Sequence, residues 1–139
     1  MSAIIGEGVS LRGLVDVDSA YTWNVTGTTV AADVGKAVVQ DTAAANSVKL
    51  ATADATIIGS LLSYENRVQE GITVGAVARE GVFVWSYSGP DPALGCGVVG
   101  GAAAGQVKAY VVSTVHTPIV GNIVIDVDTT NKLVTVLFD

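Results

Sequence analysis

The residue types that most often carry chemistry are sparse in this sequence. It has one cysteine, Cys96, in the segment GCG, and one histidine, His116. A thiol nucleophile needs a base beside it in space, and that base is in turn oriented by a third group. A small hydrolase built on Cys96 and His116 therefore stays open as an alternative. The simpler interpretation is an inert cysteine and a loop histidine.

Two pairs of aspartates have a spacing that places both carboxylates on one face of a strand, Asp16 with Asp18 and Asp126 with Asp128. Such pairs can hold calcium or magnesium. Neither pair belongs to a loop of alternating oxygen ligands that ends in Glu. Asp128 begins the segment DTTN, where an aspartate side chain commonly caps the backbone of a turn. Asp91 stands apart in a long loop, and we expect neither a metal ion nor a cofactor.

Other cofactor and ligand motifs are incomplete. The glycine-rich segment at 97–105, GVVGGAAAG, lacks the Lys-Ser/Thr ending of a phosphate-binding loop. Lys49 and Lys108 can be compared with the modified lysine of lipoyl or biotinyl carriers, which are also small duplicated β domains, but their flanking residues do not match the attachment motifs. An added lipoyl or biotinyl mass would reveal a carrier domain. Three aromatic residues are too separated for a sugar-binding row, and we expect them to pack in a core or interface: Trp23, Trp85 and Tyr87.

The charge pattern argues against nucleic acid as a partner. The net charge is -6, and the seven basic residues are scattered: Arg12, Lys36, Lys49, Arg67, Arg79, Lys108 and Lys132. Nucleic-acid binding requires a clustered basic footprint. Only 14% of residues are charged, against about a quarter in typical soluble domains. A surface this poor in charge is typical of a protein that becomes covered in an assembly.

The N-terminal 20 residues predict an extended arm. Glycines interrupt them too often for a helix, and they lack the basic and long apolar segments of a signal peptide. Apolar runs throughout the chain are much shorter than the roughly 20 residues that span a membrane. With a single cysteine, no internal disulfide forms, which suits folding in a reducing cytoplasm. The candidate contact residues of the arm are Ile4, Ile5, Val9, Leu11 and Leu14.

The rest of the chain, residues 21–139, predicts one all-β domain. Short segments rich in β-branched residues alternate with Gly, Asp, Asn and Thr. In the last of them both faces are mainly apolar, so one face is expected to meet another sheet or subunit. The loop DTTN closes a hairpin. The predicted strands are Val34–Gln40, Ser47–Ala51, Thr56–Tyr64, Ile72–Ala78, Val82–Tyr87, Gln106–Thr114, Ile119–Asp126 and Lys132–Phe138.

The sequence also contains an internal repeat with a separation of about 60 residues. GKAVVQDTAAANSVKL at 35–50 aligns with GCGVVGGAAAGQVKA at 95–109, and IIGSLL at 57–62 aligns with IVGNIV at 119–124. Gly35 and Gly95 would begin a turn into a strand, and Gly59 and Gly121 would mark a bulge or close backbone approach. Two units, at about 34–64 and 95–126, predict a small β-barrel or β-sandwich with pseudo-twofold character.

This pattern resembles the head-decoration, or capsid cement, proteins of bacteriophages. The resembling segments are VGKAVVQDTAAANSVKLA, DATIIGSLLSYENRVQEGITVGAVAREGVFVW and GQVKAYVVSTVHTPIVGNIVIDV, which together span about residues 25–127. The resemblance implies a homotrimer made in the host cytoplasm that binds the major capsid protein on the outside of an expanded head. It also implies that the arm lies on the capsid or on a neighbouring decoration subunit, with no direct nucleic-acid contact and no membrane.

A different virion module, such as a fibre or baseplate component, remains the first alternative. Long fibres usually show longer repeats or heptads, and neither occurs in this sequence. The function predicted from the sequence is therefore structural and not enzymatic: stabilisation of contacts between capsid subunits.

Overall fold

A computed structural model describes residues 20–110 and 122–138. Apart from two short 3-10 turns, Ala31–Asp33 and Val68–Glu70, the regular structure of these residues is all β, which confirms the predicted fold class. The strands are β1 (Ala20–Val25), β2 (Ala37–Gln40), β3 (Ser47–Leu50), β4 (Ile57–Leu61), β5 (Glu65–Arg67), β6 (Ile72–Ala78), β7 (Gly81–Ser86), β8 (Val98–Gly100), β9 (Val107–Ala109), β10 (Asn122–Asp128) and β11 (Leu133–Phe138).

The first half of the chain forms a closed barrel of five strands. Their order is β1-β3-β2-β4-β6, and the pairing of β6 with β1 closes the ring. β1 and β3 run parallel, and the other neighbours run antiparallel. β5 extends the barrel by pairing with β6 beyond the end of β4. The alternating inward side chains fill the interior, namely Val25, Val38, Val48, Leu50, Leu61 and Val77.

The second half repeats this order in a more open form. β7 pairs with β11, β11 with β10, and β8 with β9, all antiparallel. A parallel bridge between Tyr87 and Val107 joins β7 to β9. Two backbone bonds join the β8 side to β10, from Gly95 N to Val124 O and from Val124 N to Cys96 O. We call β1–β6 the first unit and β7–β11 the second unit.

The backbone pairing confirms the first block of the predicted repeat. Val39 lies opposite Lys49 in the hairpin β2–β3, and Val99 lies opposite Lys108 in the hairpin β8–β9. The glycines that precede them, Gly35 and Gly95, both have left-handed φ values, 96° and 83°. Each matched pair therefore holds the same place in its own unit.

The second block of the repeat was aligned one residue out of register. Gly35 N donates to Leu61 O, whereas Gly95 N donates to Val124 O, so Leu61 matches Val124 and not Ile123. In the first unit a β-bulge at Ile58 lies next to Gly59, and small apolar residues on both sides give the sequence little power to fix register. Gly121 lies outside the described residues.

The repeat is also longer than predicted. WNVTG at 23–27 matches WSYSG at 85–89, since Thr26 N donates to Val48 O and Ser88 N to Val107 O, both at 2.9 Å. Gly27 and Gly89 close these segments with φ values of 76° and 75°. The first unit closes into a barrel, and the second unit places its strands in the same order as a three-stranded and a two-stranded sheet. The repeat therefore includes the strands before and after the aligned blocks, since β1 and β7 precede them and β6 and β11 follow them.

The two units share a buried core and make backbone contacts. The side chains buried between and within them include Ala37, Val39, Ala51, Ile57 and Ala78 of the first unit with Phe83, Trp85, Val98, Val124 and Val136 of the second. Gly105 joins the units because its O accepts from Ala37 N and its N donates to Ala51 O. This contact uses one face of the first unit and a different face of the second.

Candidate interaction surfaces

The proposed catalytic pair is not brought together within the described part of the chain. Cys96 is exposed on a turn before β8, where its backbone N donates to Ala93 O. His116 lies outside the described residues. Across residues 20–110 and 122–138, no three His, Cys, Asp or Glu side chains cluster closely enough to hold a metal ion.

Asp128 has the predicted capping role. Its Oδ1 accepts hydrogen bonds from the backbone N of Thr130 at 3.0 Å and of Asn131 at 3.1 Å. Its Oδ2 accepts from Asn131 Nδ2 at 2.9 Å. These bonds fix the turn between β10 and β11. Asp126 lies in β10 itself, and the pair Asp16 and Asp18 lies outside the described residues.

Asp91 anchors its long loop to the second unit. Its Oδ1 accepts from the Tyr87 hydroxyl at 2.5 Å and from Lys132 Nζ at 3.2 Å. Lys132 Nζ also lies 5.2 Å from the centre of the Tyr87 ring. Because Tyr87 donates to Asp91, the pKa of Tyr87 rises to about 12, and the pKa of Asp91 falls below its ordinary value. This arrangement fixes the long loop to the strand end at Tyr87.

The two lysines compared with carrier domains have different surroundings. Lys108 Nζ lies 2.7 Å from Asp54 Oδ1, so this ion pair joins the second unit to a loop of the first. Lys49 is half-buried in β3. A modified lysine of a carrier domain must project freely to reach its partners, and Lys108 instead lies in a contact between the units.

The predicted packing of Trp85 and Tyr87 is confirmed. Trp85 is 2% exposed, and its ring stacks on Phe83 with 5.3 Å between centroids. Its Nε1 donates to Ser60 Oγ of the first unit at 3.3 Å. Trp23, the matching residue of the first unit, is only half-buried. Its Nε1 is shielded from solvent and has no acceptor among the described residues.

Two apolar surfaces lie open at different places on the molecule. Around Trp23, a cleft of about 310 Å³ is lined by Tyr21, Thr22, Trp23, Asn46 and Arg79, and we call it the Trp23 face. Tyr21 is 55% exposed there. On the outer side of β10 and β11, Ile123, Ile125 and Leu137 are 44%, 39% and 39% exposed, and we call this the β10–β11 face.

Sequence reasoning anticipated one of these surfaces. Both sides of β11 are apolar in sequence, and the structure buries Val134 and Val136 while leaving Leu137 at the surface. The Trp23 face was missed, although the match between WNVTG and WSYSG would have identified it. The candidate arm contacts lie outside the described residues: Ile4, Ile5, Val9, Leu11 and Leu14.

No protein-family model and no curated protein matches this sequence. In the part of the chain that the structure describes, no helix is long and apolar enough to cross a membrane.

Proposed function

We propose that this protein is a structural virion component that binds the outer surface of an expanded phage head. In this role it acts as a homotrimer and stabilises contacts between subunits of the major capsid protein. The observation that carries the proposal is the combination of a β body with two open apolar faces, the Trp23 face and the β10–β11 face. Apolar surfaces of this kind mark contacts with other macromolecules.

The surface chemistry of the body favours a protein partner. Seven basic residues against 13 acidic ones leave a net negative charge, which suits neither DNA nor RNA. Ion pairs such as Lys36–Asp33 and Arg67–Glu65 occupy several of the basic side chains within the chain. Low charge reduces the desolvation cost of covering a surface, because fewer ions lose their water on contact.

Stabilisation of a head follows from binding that spans subunits. A specific interface buries on the order of 1,600 Å², and each cement subunit that bridges two capsid subunits must detach before they separate. The copies in a trimer bind the lattice together, so the effective affinity exceeds that of one copy. The closed first barrel lets the body transmit this load with no free sheet edge between its five strands.

The test uses undecorated expanded heads. The protein is incubated with them, the heads are sedimented, and their disruption on heating is followed by DNA release or light scattering. We expect co-sedimentation and disruption at a higher temperature, because ligands that bind only the intact assembly stabilise it. Absence of co-sedimentation together with an unchanged disruption temperature would overturn the proposal.

A pair of variants tests the arm as the capsid contact. Replacing Ile4, Ile5, Val9, Leu11 and Leu14 by Ser should weaken co-sedimentation, while circular dichroism should keep its β signal. The matched control is Ile72→Ser, which alters an exposed apolar residue of β6 that is 41% accessible. Equal binding by both proteins would remove the arm from the proposed contact.

A further inference from the structure

The contact between the two units of one chain joins unlike faces. On the first unit it uses Lys36, Ser60 and Ala78, and on the second unit it uses Phe83, Trp85 and Gly105. Ser60 accepts from Trp85 Nε1, and Ala78 is buried in the core that both units share. A Cβ added to Gly105 would lie 3.0 Å from Lys36 Cβ, which shows how closely the two faces approach.

Because the two units repeat the same strand order, each face of this contact has a matching face on the other unit. These matching faces take no part in the contact. Hydrogen bonds of the two units match Leu61 with Val124 and Lys36 with Cys96. The strand pairings then place Ile123 and Leu137 where the first unit has Ser60 and Ala78. In the same way, Tyr21, Trp23 and Asn46 of the first unit match Phe83, Trp85 and Gly105 of the second.

These counterparts are the two open apolar faces. Phe83 is 3% exposed under the first unit, whereas its match Tyr21 is 55% exposed. Ala78 is fully buried, whereas its match Leu137 is 39% exposed. One chain therefore contains one completed copy of this contact and the two unused halves of a second copy.

We propose that a second copy of this chain covers the Trp23 face with its own β10–β11 face, repeating between chains the contact made between the units. The match of the two clefts supports this occupant. A cleft of about 510 Å³ between the units is lined on one side by Val34, Gly35 and Lys36 and on the other by residues that include Trp85 and Gly105. Their matches, Trp23 and Asn46, line the cleft of the Trp23 face.

The missing wall of that second cleft follows from the repeat. The residues that match Val34, Gly35 and Lys36 are Leu94, Gly95 and Cys96, and they lie beside the β10–β11 face through the bonds between Gly95, Cys96 and Val124. Leu94 is 68% exposed in the isolated chain. In the proposed contact Leu94 and Cys96 of one copy lie against Trp23 and Asn46 of the next.

The symmetry of the contact determines what it can build. Because it joins unlike faces, it is heterologous and produces either a closed ring or a filament. A ring of three chains would contain six units in succession, which deepens the homotrimer of the proposed function. Only the number of copies in the ring rests on the proposed function. The existence of the contact depends on the internal repeat alone.

A cysteine placed at position 46 tests the geometry directly. Asn46→Cys puts a thiol at the position that matches Gly105, opposite the native Cys96 of the next copy. Within the chain, a Cβ at Gly105 would lie 3.0 Å from Lys36 Cβ. That distance is close to the roughly 3.5–4.5 Å between the two Cβ atoms of a disulfide. After mild oxidation we expect disulfide-linked species of two or more chains on a non-reducing gel.

The controls separate this contact from random oxidation and from misfolding. Asn46 has a left-handed φ of 51°, so Ala45→Cys, which does not, provides a second test in the same loop. Asn46→Cys with Cys96→Ala removes the partner thiol, and Gln69→Cys puts an exposed thiol away from both faces. Cross-linking no greater than in these two controls, for both loop variants, would overturn the proposal.

An association measurement completes the test without any added thiol. In sedimentation velocity, Leu137→Ser and Ile123→Ser should each raise the dissociation constant of the wild-type oligomer roughly tenfold or more, because each removes a buried aliphatic contact. Ile72→Ser should leave it unchanged. A wild-type monomer at all concentrations would overturn the contact. Binding of that monomer to heads would still support the capsid function, so the two failures are distinguishable.

Discussion

At the residue scale, a buried polar side chain, that of Asn122, joins two strands of the second unit whose backbones do not pair there. Asn122 is 5% exposed, and its side chain replaces a missing stretch of strand pairing. Its Nδ2 donates to Val98 O at 2.9 Å, and its Oδ1 accepts from Val98 N at 3.2 Å. The first unit needs no such residue, because Val38 pairs there with Gly59 through the backbone. In the more open second unit, the Asn122 amide thus joins β8 to β10 beside the two backbone bonds of Val124.

Asn122→Ala should lower the free energy of unfolding by about 3 kcal/mol, since it leaves a buried N–H and a buried C=O of Val98 without partners. Urea denaturation followed by circular dichroism measures the change. Asn66→Ala in β5 is the control, because Asn66 is exposed and its ladder bonds are made by the backbone. Equal effects of the two substitutions would contradict the role given to Asn122.

Ionisation of Tyr87 should lower the stability of the folded protein at high pH. The bond to Asp91 raises the pKa of Tyr87 from 10.0 to about 12, so folding favours the neutral phenol. This stabilisation is complete below pH 10 and is lost as pH rises through about 12. Unfolding midpoints measured between pH 9 and 12 should therefore fall more steeply for the wild type than for Tyr87→Phe. Parallel curves for the two proteins would show that the bond is not formed in solution.

At the scale of the elements, the hairpin β8–β9 packs against the first unit through a glycine, Gly100, that leaves room for another backbone. A Cβ at Gly100 would lie 1.8 Å from Thr52 O, so the hairpin β8–β9 can approach the first unit only without a side chain there. At this position Gly100 N donates to Ala55 O, and Asp54 N donates to Gly100 O. The close approach belongs to the contact between units and not to the fold of either hairpin.

Gly100→Ala should lower the free energy of unfolding by about 3 kcal/mol, because the added methyl group forces two backbones apart. The control is Gly89→Ala, at a turn with a φ of 75° and open space around its Cα. That change should cost about 1 kcal/mol through the left-handed backbone alone. Thermal melts of both variants measure the two losses of stability. An equal loss for Gly89→Ala and Gly100→Ala would argue against the close approach of Gly100 to Thr52.

The elements that sequence reasoning found are those with strong local signals. Ile72–Ala78 matches β6 to the residue, and Asp128 marks the hairpin that follows β10. β5 was missed because its three residues, Glu65–Arg67, are all exposed and show no apolar alternation. Its strand character comes from pairing with β6, which local sequence does not encode.

Pairings and contacts between distant parts of the chain could not be predicted for a related reason. The parallel pairing of β1 with β3 and the contact between units join residues that are distant in the chain. Sequence periodicity predicts which face of a strand is buried, but not which surface covers it. The apolar faces of β11 could therefore be predicted from the sequence, whereas the surface that would cover the Trp23 face could not.

At the scale of the whole molecule, the shared core should couple the two units. Residues of both units form one buried cluster, and backbone bonds of Gly100 and Gly105 cross between them. If one unit unfolded alone, Trp85, Phe83 and several valines would lose much of their cover, at a cost of several kcal/mol. Partly folded states with one intact unit should therefore be scarce, and unfolding should be a single cooperative transition.

The chain provides a native reporter in each unit to test this coupling. Trp23→Phe leaves Trp85 as the fluorophore of the second unit, and Trp85→Phe leaves Trp23 as that of the first. In urea, the fluorescence midpoint of each variant should coincide with the midpoint that circular dichroism records for the same variant. Trp85→Phe should also be the less stable of the two, because it leaves Ser60 without its indole donor and loses buried ring area. Midpoints that separate would mean that the two units unfold independently, and the contact within the chain would then be too weak to serve as the pattern for a contact between chains.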